Sequence, residues 1–434
     1  MADRAAVLGT EGSLGPEMYR LAARLFPIAR SITGDGVRKT LQVIGELVPV
    51  SVVEVPSGTR VLDWTIPPEW NIRDAWIADA SGERVVDFRR SNLHIVGYSV
   101  PIRARMSLAE LRPHLHTLPA RPDVIPYRTS YYAPSWGFCL TQRALDALTE
   151  GEYEVCIDAT LAPGHLTYGE VVLPGESTDE ILISTHVCHP SLANDNVSGI
   201  VVASFLARHF ARVRRRLTLR FLFAPGTIGA LTWLACNREH LGQVRHGLTL
   251  ASLGDAHPFT YKRTVSGTAA IDVVVPHSLA SSGHAYEVAD FVPYGYDERQ
   301  YNAPGFRLPI GSLTRAREGG FPEYHTSADD LSFIQPERLA ESLDAVASII
   351  ALLDSDRRYR NLAPHGEPQL ARRGLYKAIG GSAIGDLEFA MLWVLCLSDG
   401  GHGVLDIALR AGLEPAAIQA AADALVQHGL LAPI

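Results

Sequence analysis

Cysteine is scarce and unpatterned in this 434-residue chain: five residues, at 139, 156, 188, 236 and 396, with no CxxC pair. An odd, scattered set gives no disulfide framework and fits a reducing compartment, so a cytoplasmic location is expected. The first fifteen residues carry no basic stretch followed by an apolar one, and no signal peptide is expected. No apolar run approaches the ~18 residues of a membrane span. The net charge is only −8, which speaks against a general nucleic-acid or membrane-surface binder. Internal repeats and long low-complexity segments are absent. What is there, 47% hydrophobic and 20% charged residues, suffices for a large buried core. The length allows several domains of ~100–200 residues each.

Helical spacing of Met18, Leu21 and Leu25 predicts a helix over 16–26, and a second follows over 37–47, with Asp35 as its cap. From Val52 to Tyr98 short alternating segments (52–55, 74–77, 85–88, 94–98) separated by Gly, Pro, Asp and Asn predict a small β domain. Ser107 with Glu110 three residues on has capping-box spacing for a short helix. The segment IPYRTSYYAPSWGFC, 125–139, has no helical period and is costly to leave in water; it packs between domains or lines a pocket. Strands are predicted at 153–159, 165–172, 181–185, 217–223, 248–253 and 271–275, with helices at 200–210, 228–237 and 336–353. That alternation is an α/β mixed or parallel sheet. After a linker at 363–373, helices at 387–397, 403–411 and 415–427 form a helix-turn-helix or winged-helix pattern. Its candidate recognition helix, 417–427, has no Arg or Lys, so no nucleic-acid partner is expected.

The stretch ILISTHVCHPSLANDNVSG, 181–199, runs from a buried strand into a polar turn and then an apolar helix. Catalytic groups collect at such strand ends. Its His189 and Asp195, Asp255 at the end of LTLASLGD, and His325 in FPEYHTSADDL form a two-His, two-Asp set approaching from separate strand ends and loops. Imidazole and carboxylate ligands with a position left for water suit Zn2+. His186 ranks below His189, because it follows the apolar run directly and reads as a satisfied hydrogen-bonding residue. Cys188 reads as a small buried residue turned away, with zinc ligation as thiolate the weaker alternative.

The order of these motifs, with DWTIPPEWNI, NLHIVGYS, IPYRTSYYAPSWGFC, CHPSLANDNVSG, YGYDERQYNAPGF, PEYHTSADDL and LWVLCLSDG, resembles a family of bacterial aminopeptidase-like proteins within the co-catalytic zinc aminopeptidase clan. The resemblance covers nearly the whole chain. It implies an α/β, aminopeptidase-like (phosphorylase/hydrolase-like) mixed sheet with flanking helices, an inserted small β domain and a C-terminal winged helix. The division expected is 1–50 for N-terminal helices, 51–125 for the β insertion, 126–362 for the zinc domain and 374–434 for the winged helix. By the clan's roles, His189 and Asp255 hold one metal, Asp195 bridges, and His325 belongs to a second position.

The clan also places two glutamates, a general base and a metal ligand, after the strand that here is LTLRFLF. Ala224-Pro-Gly-Thr-Ile-Gly229 follows instead, with Gly226 where the family's pattern has Glu. A single zinc is therefore expected. Replacement bases are sought in Glu323 and Glu298, with Asp297 and Glu318 also nearby. Arg299 is a candidate clamp for a substrate carboxylate, with Tyr296 and Tyr301 (and Tyr294) beside it. The expected function is a zinc-dependent hydrolase of a peptide or amide bond in a small substrate, in a biosynthetic pathway rather than bulk protein turnover. The alternatives are a non-hydrolytic metal- or ligand-binding protein on the same scaffold and, third, a regulator acting through the winged helix. No membrane partner is expected, and a homo-oligomeric assembly stays open.

Overall fold

A computed structural model describes residues 14–317, 319–375 and 385–434. Glu318, one of the nearby acids considered above, lies outside the described residues. Two compact units are distinguished. One takes in the chain up to Gly267 together with Leu279–Ser348; the other is Thr268–Ser278 with Ile349–Ile434.

The first unit is organised by an eight-stranded mixed sheet. Its spatial order is Ser51–Pro56, His165–Leu173, Thr218–Ala224, Glu180–His186, Val244–Leu250, Ile310–Thr314, Phe259–Lys262 and Tyr286–Ala289. The four strands at its centre, from Thr218–Ala224 to Ile310–Thr314, are mutually parallel. Every residue of Glu180–His186 is buried, as expected for a parallel strand covered on both faces. The helices that follow the first two of these strands in the chain are Gly199–Phe210 and Ile228–Cys236. Both are apolar nearly all round and almost wholly buried. A helix of that composition is stable only inside a core.

A second, antiparallel sheet has the order Arg84–Asp87, Glu69–Ala78, Glu152–Ala162, Ile102–Ser107. It corresponds to the predicted β insertion, but its boundaries differ. Strand 51–56 belongs to the large sheet, paired with His165–Leu173. The insertion's longest pairing partner, Glu152–Ala162, comes from beyond residue 125. Trp70, Ile77 and Val155 of this sheet share one apolar cluster with Leu182 and Leu222 of the large sheet, so the insertion has no core of its own. The capping box at Ser107 and Glu110 is formed. Asp35 is not a cap: Gly34 takes that position, and Asp35 instead pairs with Arg38 at 3.0 Å.

Ile271–Val275, predicted as a strand, lies in the helix Ala270–Ser281. A short apolar run of β-branched residues does not distinguish a strand from a buried helix segment by periodicity alone. In the second unit, helices Asp386–Leu397, Val404–Ala411 and Pro415–Gln427 are joined by a small sheet of Asp399–Gly403, Arg358–Asn361 and Leu431–Pro433. Met391, Val394, Ile407, Ile418 and Leu425 fill their shared core. No helix among the described residues is long and apolar enough to cross a membrane.

Candidate active site

The central strand ends at His186, and Pro190, which has no N–H to pair, stands four residues on. Between Leu192 and Gly199 the backbone is held by side chains. Asp329 accepts from the Asn194 N–H (2.6 Å) and the Asp195 N–H (2.9 Å). The Asn194 amide donates to Asp255 (2.6 Å) and accepts from the Gly254 N–H (2.9 Å). The Asn196 amide donates to Thr185 Oγ1 (2.7 Å) and the His186 carbonyl (3.1 Å). Each residue flanking Asp195 is thus spent on the frame, which leaves the Asp195 carboxylate to face inward.

It faces histidines. Asp195 Oδ1 lies 2.9 Å from His186 Nε2, and Oδ2 lies 3.0 Å from His325 Nε2. Ligand atoms of His186, His189 and Asp195 all lie within 4.8 Å of one another. Tyr127 sets its ring edge-on to both His189 and His325, with 5.1 Å between centroids, and its N–H donates to the His325 carbonyl (2.8 Å). Tyr324 stacks on His325, and Tyr296 stacks on His186.

Burial disfavours charge on both sides of this cluster. For Asp195 the neighbouring histidines outweigh that penalty and hold the carboxyl well below its usual range. His189 is pushed well below its usual value by burial, against the pull of Asp195. An ionised carboxylate beside a neutral imidazole is the form in which such residues take a metal.

The cluster opens into a cavity of about 270 Å³ lined by His186, Cys188, His189, Gly226, Thr227, Tyr296, Asp297, Arg299 and His325, with Tyr127, Thr129 and Tyr131 among the rest. The aromatic segment 125–139 therefore contributes to a pocket wall. Asp297 is buried and accepts from the Thr227 N–H at 2.6 Å. Burial raises its pKa, partly offset by that hydrogen bond and by His186.

Several predicted residues stand elsewhere. His186, ranked below His189, is a full member of the cluster. Asp255 is outside it: its carboxylate takes the Asn194 amide and both the N–H and ring nitrogen of His257 (2.7 and 2.6 Å). Glu298 is completely buried in an ion pair with Lys262 (2.5 Å), away from the cavity lining. Tyr301 is a core residue whose hydroxyl pairs with Ser184 Oγ (2.8 Å). Glu323 does not line the cavity; the hydrogen bonds from Thr326 go to its backbone carbonyl. Cys188 is not turned away. It lines the cavity, its sulfur accepting from the Gly226 N–H (3.2 Å) and lying 3.6 Å from His189 Nδ1. Burial pushes its thiol up to about 12, so it stays protonated.

Asp297 and Asp329 carry more of this site than their sequence setting indicated. In the sequence Asp297 is one acid of four in GYDERQY and the loop beyond, with Glu298, Glu318 and Glu323. The sole hint of Asp329 was its place four residues after His325.

Residues 19–356 match the family model described as "Domain of unknown function (DUF4910)", and residues 357–433 match a winged helix-turn-helix model. The chain belongs to this DUF4910 family. A Clostridium acetobutylicum protein provisionally named as a polysaccharide biosynthesis protein with aminopeptidase-like domain is 49% identical over 418 residues, 96% of each chain. A crystal structure of a provisionally named peptidase from the same organism aligns with a TM-score of 0.85 at 47% identity, covering 97% of this chain and 96% of that one. A zinc aminopeptidase from Bacillus subtilis aligns at a TM-score of 0.57 and 14% identity, over 78% of this chain and 95% of that one. At that identity the likeness shows the fold. The chain has an aminopeptidase-like fold with a C-terminal winged helix.

Proposed function

We propose that this DUF4910 protein is a zinc-dependent hydrolase that cleaves an amide bond in a small substrate. The observation that carries the reading is the His186–His189–Asp195 group, with His325 on the second carboxylate oxygen, opening onto a cavity that also holds a buried carboxylate, Asp297. Two neutral-capable imidazoles and a carboxylate are the donor set zinc favours, with His325 as a further ligand. When bound, zinc supplies Lewis acidity that polarises an amide carbonyl and makes water a stronger acid.

The chain's own residues supply the rest. Asp297 takes the role for which Glu298 and Glu323 were considered. It is the carboxylate among the lining residues, and its raised pKa suits a general base better than an ordinary surface aspartate does. The Thr227 N–H holds one of its oxygens and leaves the other for a proton. The tyrosines narrow the cavity to a size for a small molecule. The relative's provisional name, which mentions polysaccharide biosynthesis, supports a biosynthetic intermediate rather than bulk protein as the substrate.

Metal analysis of His186→Ala/His189→Ala beside the wild type tests this. Zinc and amide hydrolysis should disappear together, and a metal-free double variant with full activity would sink the reading. A second reading, ligand binding without hydrolysis, is favoured by the bare Gly226 turn. It predicts that the wild-type protein turns over no amide, whereas Gly226→Glu does.

A further inference from the structure

Arg299 lines the cavity and, among the described residues, makes no ion pair, unlike several part-buried arginines of the same fold. Arg220 is clamped by Glu170 and Glu180 at 2.8 Å each, and Arg315 by Glu341 at 2.8 Å. Arg38 pairs with Glu69 at 2.7 Å. Arg299 makes one long hydrogen bond, Nη2 to Thr227 Oγ1 at 3.3 Å. Its Nε is shielded from solvent and has no hydrogen-bond partner among the described residues. Asp297, two positions away, feels the Arg299 charge but forms no ion pair with it among the described residues, its hydrogen bond coming from the Thr227 N–H. A planar guanidinium that lines a cavity and is held by one long hydrogen bond is suited to a planar anion.

The same cavity has little to offer an ammonium group. Glycine stands at 226, Glu298 is consumed by Lys262, and Glu323 is outside the lining. The remaining carboxylate among the lining residues, Asp297, is needed for proton transfer.

We infer that the cavity selects its substrate by a free carboxylate gripped by Arg299, and that the scissile amide is that of an N-acylated amino acid rather than of a peptide held by its free amine. This deepens, and for its chemistry rests on, the hydrolase reading above. Water adds across the amide: its oxygen bonds to the acyl carbon, the C–N bond breaks, and the proton passes through Asp297 to the leaving nitrogen. The products are a carboxylic acid and a free amino acid.

The test is calorimetric titration of the full-length protein with N-acetyl-L-alanine, its methyl ester and L-alanine amide, with hydrolysis followed separately. The titrations are repeated on metal-free protein, where a carboxylate has no metal to bind. N-acetyl-L-alanine should bind at least ~10-fold more tightly than its ester, the scale of a charge-assisted hydrogen bond, with and without zinc. Arg299→Met should bring that ratio close to one, and Arg299→Lys should keep part of it. Equal binding of acid and ester by the wild type, an undiminished preference in Arg299→Met, or tighter binding of L-alanine amide would each overturn the inference. Carboxylate binding through Arg299 with no turnover would support it while sinking the hydrolase reading. Hydrolysis of L-alanine amide with no preference for the acid would do the reverse.

Discussion

Replacing Asp297 by Asn isolates the base from the rest of the site. The substitution keeps the shape of the side chain and an oxygen for the Thr227 N–H, now 2.6 Å from Asp297 Oδ1. Exchanging a charged for a neutral acceptor costs on the order of 1 kcal/mol, and removing a fully buried charge offsets that. Stability should therefore move by no more than about 1 kcal/mol. Zinc content should not move, because Asp297 is not in the group of His186, His189 and Asp195. Turnover should fall by ~10²–10⁴, the usual worth of a general base, or roughly 3–5 kcal/mol of barrier at ~1.4 kcal/mol per decade. The pH profile gives a second readout. A general base acts only when ionised, so kcat/KM should fall along an acid limb as Asp297 takes up its proton. Activity rises with pH through that limb as the base ionises, and the limb should be lost in the variant. Adding Gly226→Glu to Asp297→Asn should recover at least about one decade of that loss. A Cβ at 226 meets only Cys188 Sγ at 3.4 Å and His186 Cβ at 3.7 Å, both ordinary contacts. Zinc-loaded Asp297→Asn with kcat within about threefold of wild type would refute the assignment, being far short of the ~10² expected.

Glu298→Gln should leave zinc stoichiometry intact but destabilise the fold by ~3–5 kcal/mol, since it removes the carboxylate paired with the buried Lys262 ammonium; chemical denaturation measures this, and lost turnover at unchanged stability would restore Glu298 to the chemistry. Gly199→Ala would place a Cβ 2.4 Å from Asn196 Oδ1 and 2.7 Å from the Leu250 carbonyl. It should cost ~1–3 kcal/mol through overpacking and weaken zinc binding by displacing the turn; a variant with wild-type melting and metal affinity would contradict that geometry.

The stretch from Ile181 to Gly199 was legible because its signals agree. An unbroken apolar run gives the buried strand, and two amides bracketing one carboxylate give a framed turn. The rest was hidden for reasons of direction rather than composition. In the run from Asp297 to Tyr301, Asp297 and Arg299 reach the cavity while Glu298 and Tyr301 point into the core. They sit on and just before a single helical turn, Glu298–Tyr301, too short to print a period in the sequence. A strand over 248–253 would put Asp255 at its end, but the strand stops at Leu250. The five residues beyond it carry Asp255 to the amide of Asn194 rather than to the histidines. His186 reads in the sequence as a hydrogen-bonding residue; it does hydrogen-bond, and its partner is Asp195 itself. The aminopeptidase-like fold, by contrast, came through motif order along the chain, which survives the loss of a catalytic residue.

Asp329 shows what that framing costs. Burial, with Asp195 and Asp255 close by, raises its pKa to about 8 despite the two N–H groups it accepts. A folded-state value above the unfolded ~3.9 means that the folded protein holds this proton more tightly. The metal-free protein therefore loses stability as pH rises from about 4 towards 8, by a few kcal/mol at most. Asp329→Asn cannot titrate, so it lacks this slope. It can accept from only one of the Asn194 and Asp195 N–H groups and leaves the other buried and unpaired, at ~1–3 kcal/mol. Melting curves of the two metal-free proteins should thus be furthest apart near about pH 4, with the wild type more stable, and converge near about pH 8. A gap that stays constant across that range would mean that Asp329 is ionised throughout. The carboxylate would then be stabilised by its two N–H donors more than it is opposed by its acidic neighbours.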